Sequence, residues 1–356
     1  LDMVPQKTDA STHDFFTDPI ETIVDGEWVT ANGTTLGADN GMGVAAILAV
    51  MLSDEIEHGP LEALLTIDEE AGMSGAANLE AGVLKSRLLL NLDTEEEGEL
   101  YVGCAGGIDV NISVPVEWED TPQNYATLQL SIKGLKGGHS GIDIHKGLGN
   151  AVKLATRIAL ESRHDFPALR VCAFEGGTLR NAIPRESVAS FGIPASQVAA
   201  FESWLADESR VIQSEYASTD PDCEIVMETT DSPSFIPSSL QSQLLGTIYG
   251  CTSGIHRMSP DIPDLVQTSN NLASVKTKDG KLEILTSQRS IIDSEKSALG
   301  STINSILELG GFNIEQSSGY PAWEPLKGSE LVDMAVETYR LMQQMHQIYQ
   351  MLPMRV

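Results

Sequence analysis

The segment Leu61-Glu62-Ala63-Leu64-Leu65-Thr66-Ile67-Asp68-Glu69-Glu70-Ala71-Gly72 limits the folds open to this chain more than any other. An apolar run of strand character stops at paired carboxylates and a glycine turn. Successive side chains of a strand face opposite ways, so Glu69 and Glu70 can approach one site only where the chain turns. A second apolar run, Arg87 to Leu92, ends the same way at Asp93. With strands over 62–68 and 86–92 and a short helix near 73–81, the pattern predicts a βαβ unit and hence a parallel pair. Upstream, the glycine-rich stretch Gly33 to Gly43 brings Asp39 to a turn before an apolar helix, with Val44, Ile47, Leu48, Met51 and Leu52 at helical spacing. Alone, each carboxylate reads as a solvated turn or helix cap. Open α/β sheets place ligands beyond the carboxyl ends of their strands. Three such segments together point to one acidic site suited to a divalent metal.

Charge excludes one class of partner. Lys and Arg number 22 against 51 Asp and Glu, giving a formal net charge of −29, and such a field repels phosphate backbones. No nucleic-acid partner is expected. Hydrophobic content of 41% over 356 residues supplies ample core for one large or two ordinary domains. Cys104, Cys172, Cys223 and Cys251 have neither zinc-finger nor redox spacing, so reduced thiols in the cytoplasm are expected. No apolar run has membrane-spanning length, and no membrane partner is expected.

Beyond Gly106-Gly107 the character changes. Alternation over 127–132, a helix over 150–162, strands 168–174 and 186–192, a helix over 196–215 and a strand 223–229 give the order βαββαβ, the ferredoxin-like arrangement. A helix over 238–249, strands 264–277 and 281–290, a helix over 294–309 and a strand 312–317 read as a second, related unit. The chain therefore divides into residues 1–108, an inserted α+β domain over 109–316, and 317–356 as a return to the first domain. Residues 1–30 read as loop, and Ser329 to Met342 as a helix.

Four separated motifs resemble a known family: Leu1-Asp2-Met3-Val4-Pro5, Gly37-Ala38-Asp39-Asn40-Gly41, Thr66 to Gly72, and Asn91-Leu92-Asp93. They look like the successive site motifs of the two-zinc exopeptidases and aminoacylases. Thr94-Glu95-Glu96-Glu97-Gly98-Glu99-Leu100-Tyr101 and Gly103-Cys104-Ala105-Gly106-Gly107 narrow the resemblance to the bacterial aminoacyl-histidine dipeptidases. The fold implied is α/β: a mostly parallel-sheet zinc-peptidase catalytic domain carrying an inserted lid with ferredoxin-like units. The implied cofactor is two zinc ions. Asp39 matches the bridging ligand, Glu70 and Asp93 the terminal ligands, and Glu69 the general base. Asp2 matches the aspartate that orients a ligand histidine. The resemblance also implies a cis peptide at Asp39-Asn40.

In the lid, His139 of Gly137-Gly138-His139-Ser140-Gly141 resembles the histidine that polarises the scissile carbonyl. Asn181 matches an asparagine that contacts substrate, and Arg289 an arginine that receives a substrate carboxylate. Read from the sequence alone, Arg289 fits a plain ion pair equally well. The implied activity is hydrolysis of Xaa-His dipeptides, carnosine-like substrates included. The alternatives are another aminoacylase or tripeptidase of the family, or a non-catalytic fragment. Members often pair through the lid, so the resemblance also allows a homodimer. One ligand histidine is expected before Leu1 and another beyond Met342, where the tail from Gln343 leaves the family pattern. On this reading the chain as it stands binds zinc poorly and turns over little substrate.

Overall fold

The computed structural model describes residues 3–8, 10–93, 98–231, 234–317, 319–326 and 328–346. Asp2, the run Thr94 to Glu97 and the tail beyond His346 lie outside the described residues. The chain forms two compact units, one of residues up to Glu99 with those from Glu330, the other Leu100–Ser329.

The first unit contains a hairpin, β1 (Thr22–Asp25) and β2 (Trp28–Ala31), helix α1 (Gly41–Leu52), and the single turns α2 (Glu69–Gly72) and α3 (Ser74–Ala77). The hairpin corrects the loop expected over residues 1–30. Its two-residue connection is Gly26-Glu27, and Gly26, with φ of +61°, takes the left-handed conformation that such tight hairpin turns require. Helix α1 begins where Asn40 Oδ1 accepts the Gly43 amide at 2.8 Å.

Two expectations need correction here. Residues 62–68 and 86–92 carry no ladder hydrogen bonds, and the only sheet among the described residues of this unit is antiparallel. Helix α1 is amphipathic in sequence, yet Met42, Leu48, Met51 and Leu52 are exposed. Leu65, Ile67 and Leu88 to Leu90 are exposed as well. Without a ladder these segments have no sheet face on which α1 could bury its stripe. The two runs still lie together: the Glu62 carboxylate accepts the Lys85 and Ser86 amides and the Ser86 hydroxyl. Those bonds, led by the hydroxyl, hold the Glu62 carboxyl below its usual range.

The second unit is the lid. Its strands are β3 (Gly106–Pro115), β4 (Glu119–Asp120), β5 (Tyr125–Lys133), β6 (Gly138–His139), β7 (Arg170–Gly176), β8 (Ala182–Ile183), β9 (Ser187–Pro194), β10 (Glu224–Thr230), β11 (Ser234–Phe235), β12 (Gly254–Met258), β13 (Val266–Lys278), β14 (Lys281–Ser290) and β15 (Ile314–Gln316). Helices α4 (Ala151–Asp165), α5 (Val198–Glu215), α6 (Ser238–Gly250) and α7 (Asp293–Leu309) lie between them. Helix α8 (Glu330–His346) follows in the first unit.

One antiparallel sheet runs β10-β5-β9-β7-β13-β14-β3-β15, with β12 beside β13. Numbering the first βαββαβ by its own strands, β10-β5-β9-β7 is the order 4-1-3-2. The same order recurs in β15-β3-β14-β13, with α6 and α7 as its helices. The second βαββαβ repeat of the lid therefore starts at β3, and the whole first repeat is inserted between β3 and α6. Sequence reading missed that strand because its partners follow far along the chain, β3 pairing β14 with Lys281 opposite Pro115. The halves join where β7 meets β13, at Gly176 with Val275 and Glu175 with Lys276. The buried hydrophobic cluster lies wholly in this unit, from Val110 and Ile112 on β3 to Leu299 and Ile303 on α7. Gly177 is required at the junction, since a Cβ there would stand 1.9 Å from Ala273 O.

Candidate active site

In the first unit, Asp39, Glu69 and Asp93 line one cavity of about 370 Å³, walled by Val44, Ile47, Leu64 and Leu65 among others. Asn40 ties the Asp39 turn to the second run by donating to Leu92 O at 2.7 Å, beside Asp93. The Asp39-Asn40 peptide is cis, in accord with the resemblance. Glu69 and Glu70 open α2 between two left-handed residues, Asp68 (φ 61°) and Met73 (φ 53°). Such conformations end a strand-like run abruptly and turn the chain. The Ser74 hydroxyl donates to Asp68 at 2.5 Å and braces that turn. Glu70 does not line the cavity. Among the described residues no three His, Cys, Asp or Glu side chains are gathered to hold one metal ion.

In the lid, His139 and Asn181 line a second cavity, of about 550 Å³, with Lys136, Arg185 and Glu186. Strand β6 sets His139 opposite Ala182 of β8, and the Ser140 amide donates to Asn181 O at 2.8 Å. The Asp143 carboxylate accepts the His139 amide at 2.7 Å. The ring is fixed too: Nδ1 accepts the Gly141 and Ile142 amides, each at 3.2 Å. An accepting Nδ1 requires a neutral ring whose proton is on Nε2. The electrostatics agree, because burial and then the Arg289 charge push the imidazole below its ordinary range, against Asp143.

Arg289 is half-buried on β14. A Cβ added at Gly141 would stand 3.1 Å from His139 Cε1 and 3.5 Å from Arg289 Nη1, so both side chains close on that glycine. The Arg289 side chain has no hydrogen bond or ion pair among the described residues, and its Nε is buried without a partner there. Among the described residues, the plain ion pair that sequence alone allowed is not formed. Sequence reading also missed Asp143 and Asp220. Asp220 is 1% exposed and accepts the amides of Lys136 at 2.8 Å and Gly149 at 2.9 Å, at either end of the His139 loop. The first lies four residues after His139 and was legible there; the second is remote and left no local signal.

Comparison with known proteins identifies the class to which this fold and these clusters belong. The chain is a member of the M20 family of peptidases. It is 42% identical over 342 residues to the cytosol non-specific dipeptidase of Escherichia coli, covering 96% of this chain and 70% of the relative. The sequence profile of the peptidase dimerisation domain matches residues 130–220, from β5 to just past α5. The crystal structure of aminoacylhistidine dipeptidase from Vibrio alginolyticus superposes with a TM-score of 0.86 at 44% identity, covering 98% of this chain and 70% of that one. The uncharacterized protein YqjE of Bacillus subtilis is 29% identical over 185 residues, 48% of this chain and 45% of its own. The fold is the α/β peptidase fold with an inserted lid. No described helix is long and apolar enough to cross a membrane.

Proposed function

We propose that this protein hydrolyses dipeptides with a C-terminal histidine, carnosine-like substrates included, in the cytoplasm. The observation that carries the reading is Arg289: a half-buried guanidinium without a carboxylate partner among the described residues, in a chain of net charge −29, beside a neutral imidazole. An unpaired arginine in so acidic a protein is suited to an anionic ligand. Its planar fork matches the terminal carboxylate of a dipeptide, which an internal peptide bond lacks. Asn181, on the same lid loops as His139, supplies an amide for the substrate backbone. His139 Nε2–H donates to the scissile carbonyl as negative charge develops on its oxygen. Glu69 takes a proton from the attacking water and returns it to the departing amine.

Peptidases of this family depend on metal ions. By the resemblance, Asp39, Glu70 and Asp93 would hold two zinc ions, which would supply an activated water, and Asp2 would orient a ligand histidine. Metal content and competition between Zn²⁺ and Mn²⁺ test it independently of turnover. The E. coli relative, a non-specific dipeptidase, favours a second reading in which the dipeptide preference is broad. A homodimer, if formed, would use a surface other than the β7 edge, which β13 of the same chain already covers. The deciding experiment profiles zinc-supplemented protein on Xaa-His, Xaa-Leu and tripeptide substrates. Preference for Xaa-His supports the first reading, equal rates on both dipeptides support the second, and faster tripeptide cleavage overturns both.

A further inference from the structure

At one end of the lid sheet, β13 and β14 carry a polar run that is buried almost throughout: Thr268 to Asn271 face Ser287 to Ser290 across the ladder. Alternate residues of this run serve two different surfaces. On the helix side, Gln288 bonds Asn270 and Thr286, while Thr268 bonds Ser290 and Glu295 of α7. The other side carries Asn271 and Arg289, under the loops that bear His139 and Asn181.

Asn271 is 1% exposed. Its Nδ2 donates to Ala182 O at 2.8 Å and Arg180 O at 3.1 Å, the two carbonyls flanking Asn181. Both partners are acceptors, so the amide orientation is settled by its bonds. Its Oδ1 is then buried with no partner among the described residues, and so is Arg289 Nε. A buried acceptor and a buried donor left unmade are each costly. Asn271 pairs with Ser287 and Arg289 with Ser269, so the two are diagonal neighbours on one face. At that spacing, about 7–8 Å for diagonal neighbours, a long side chain reaches its neighbour.

We infer that Asn271 is a positioning residue of the lid site, a role that rests on the proposed use of Asn181 and Arg289. Nδ2 locks the turn that presents Asn181. Oδ1 receives Arg289 Nε–H when the guanidinium turns both Nη groups to the substrate carboxylate. One side chain thereby sets the spacing between the two groups that hold the dipeptide.

The test uses the full chain with Asn271→Ala, Asn271→Asp and Arg289→Ala, and β-alanyl-histidine or its C-terminal amide as ligand. Affinity is measured by calorimetry, and the Arg289 Nε–H resonance, assigned by its loss in Arg289→Ala, is followed by NMR. The wild type should show a protected resonance with the dipeptide. Asn271→Ala should lose it and weaken dipeptide binding roughly tenfold, the loss expected for one well-placed hydrogen bond. Asn271→Asp keeps an oxygen toward Arg289 but opposes a second oxygen to the two carbonyls. It should keep the resonance while lowering the preference for the acid over the amide, because its charge competes for the guanidinium. Because it is nearly isosteric, this variant decides the matter if Asn271→Ala fails to fold. Unchanged acid preference in Asn271→Asp, or unchanged resonance and affinity in Asn271→Ala, overturns the role. If Arg289→Ala itself leaves dipeptide affinity unchanged, the carboxylate assignment to Arg289 is what has failed.

Discussion

Replacing Asp220 by Ala should loosen the His139 loop by an amount the structure allows to be worked out. The carboxylate is 1% exposed and accepts two backbone amides, at 2.8 and 2.9 Å, from Lys136 and Gly149. Hydrogen bonds to a charged group contribute about 1.5–3 kcal/mol each, so the pair is worth about 3–6 kcal/mol. Removing the buried charge relieves part of its desolvation cost, leaving a net loss of about 2–4 kcal/mol. Asp220→Asn keeps one acceptor but turns an NH2 group toward the other amide, and should lose about half as much. Urea unfolding gives the global value, and hydrogen exchange at the Lys136 and Gly149 amides gives the local one. A loss of 3 kcal/mol should speed their exchange roughly 150-fold. A change below about 1 kcal/mol with both amides still protected would refute the view that Asp220 anchors this loop.

Three further outcomes are expected. Glu69→Gln should abolish dipeptide turnover, because the amide keeps the shape but cannot take the water proton; near-normal rates would remove Glu69 as the base. His139 has its folded pKa depressed by burial and then by Arg289, so the unfolded chain takes up a proton first as pH falls. Stability should therefore decline as pH drops below about 6.5 toward the folded value, and His139→Gln should flatten that slope in urea titrations at pH 5 and 7. Gly177→Ala should destabilise the lid by more than about 1 kcal/mol in urea unfolding, since φ of +75° and the contact with Ala273 O leave no room for a Cβ.

Much of the lid was legible because its signals are local. The alternation over 127–132 and the apolar stripes of α4 and α5 each bury a face in the shared core, so pattern and structure agree. The start of the second half at β3 was not legible, since nothing near Gly106 indicates a partner at Lys281 to Ser290. In the first unit, Leu61 to Ile67 and Arg87 to Leu92 have strand composition, but a strand exists only through its ladder, and none forms there. The carboxylates were named by motif, and Asp39, Glu69 and Asp93 do share a cavity; Glu70, next in sequence, lies outside its lining. Asn271 and Asp220 gave no signal because their roles lie in hydrogen bonds to backbone far along the chain.

The central claim is that this chain recognises a dipeptide by its free carboxylate through Arg289 and cleaves it. The most direct measurement is kcat/KM of zinc-supplemented protein for β-alanyl-histidine and for β-alanyl-histidinamide, in the wild type and in Arg289→Ala. A charge-assisted pair of about 2–3 kcal/mol predicts a wild-type preference for the acid of roughly 30–150-fold, falling to near unity in Arg289→Ala. Equal handling of acid and amide by the wild type, or an undiminished preference in Arg289→Ala, would contradict it.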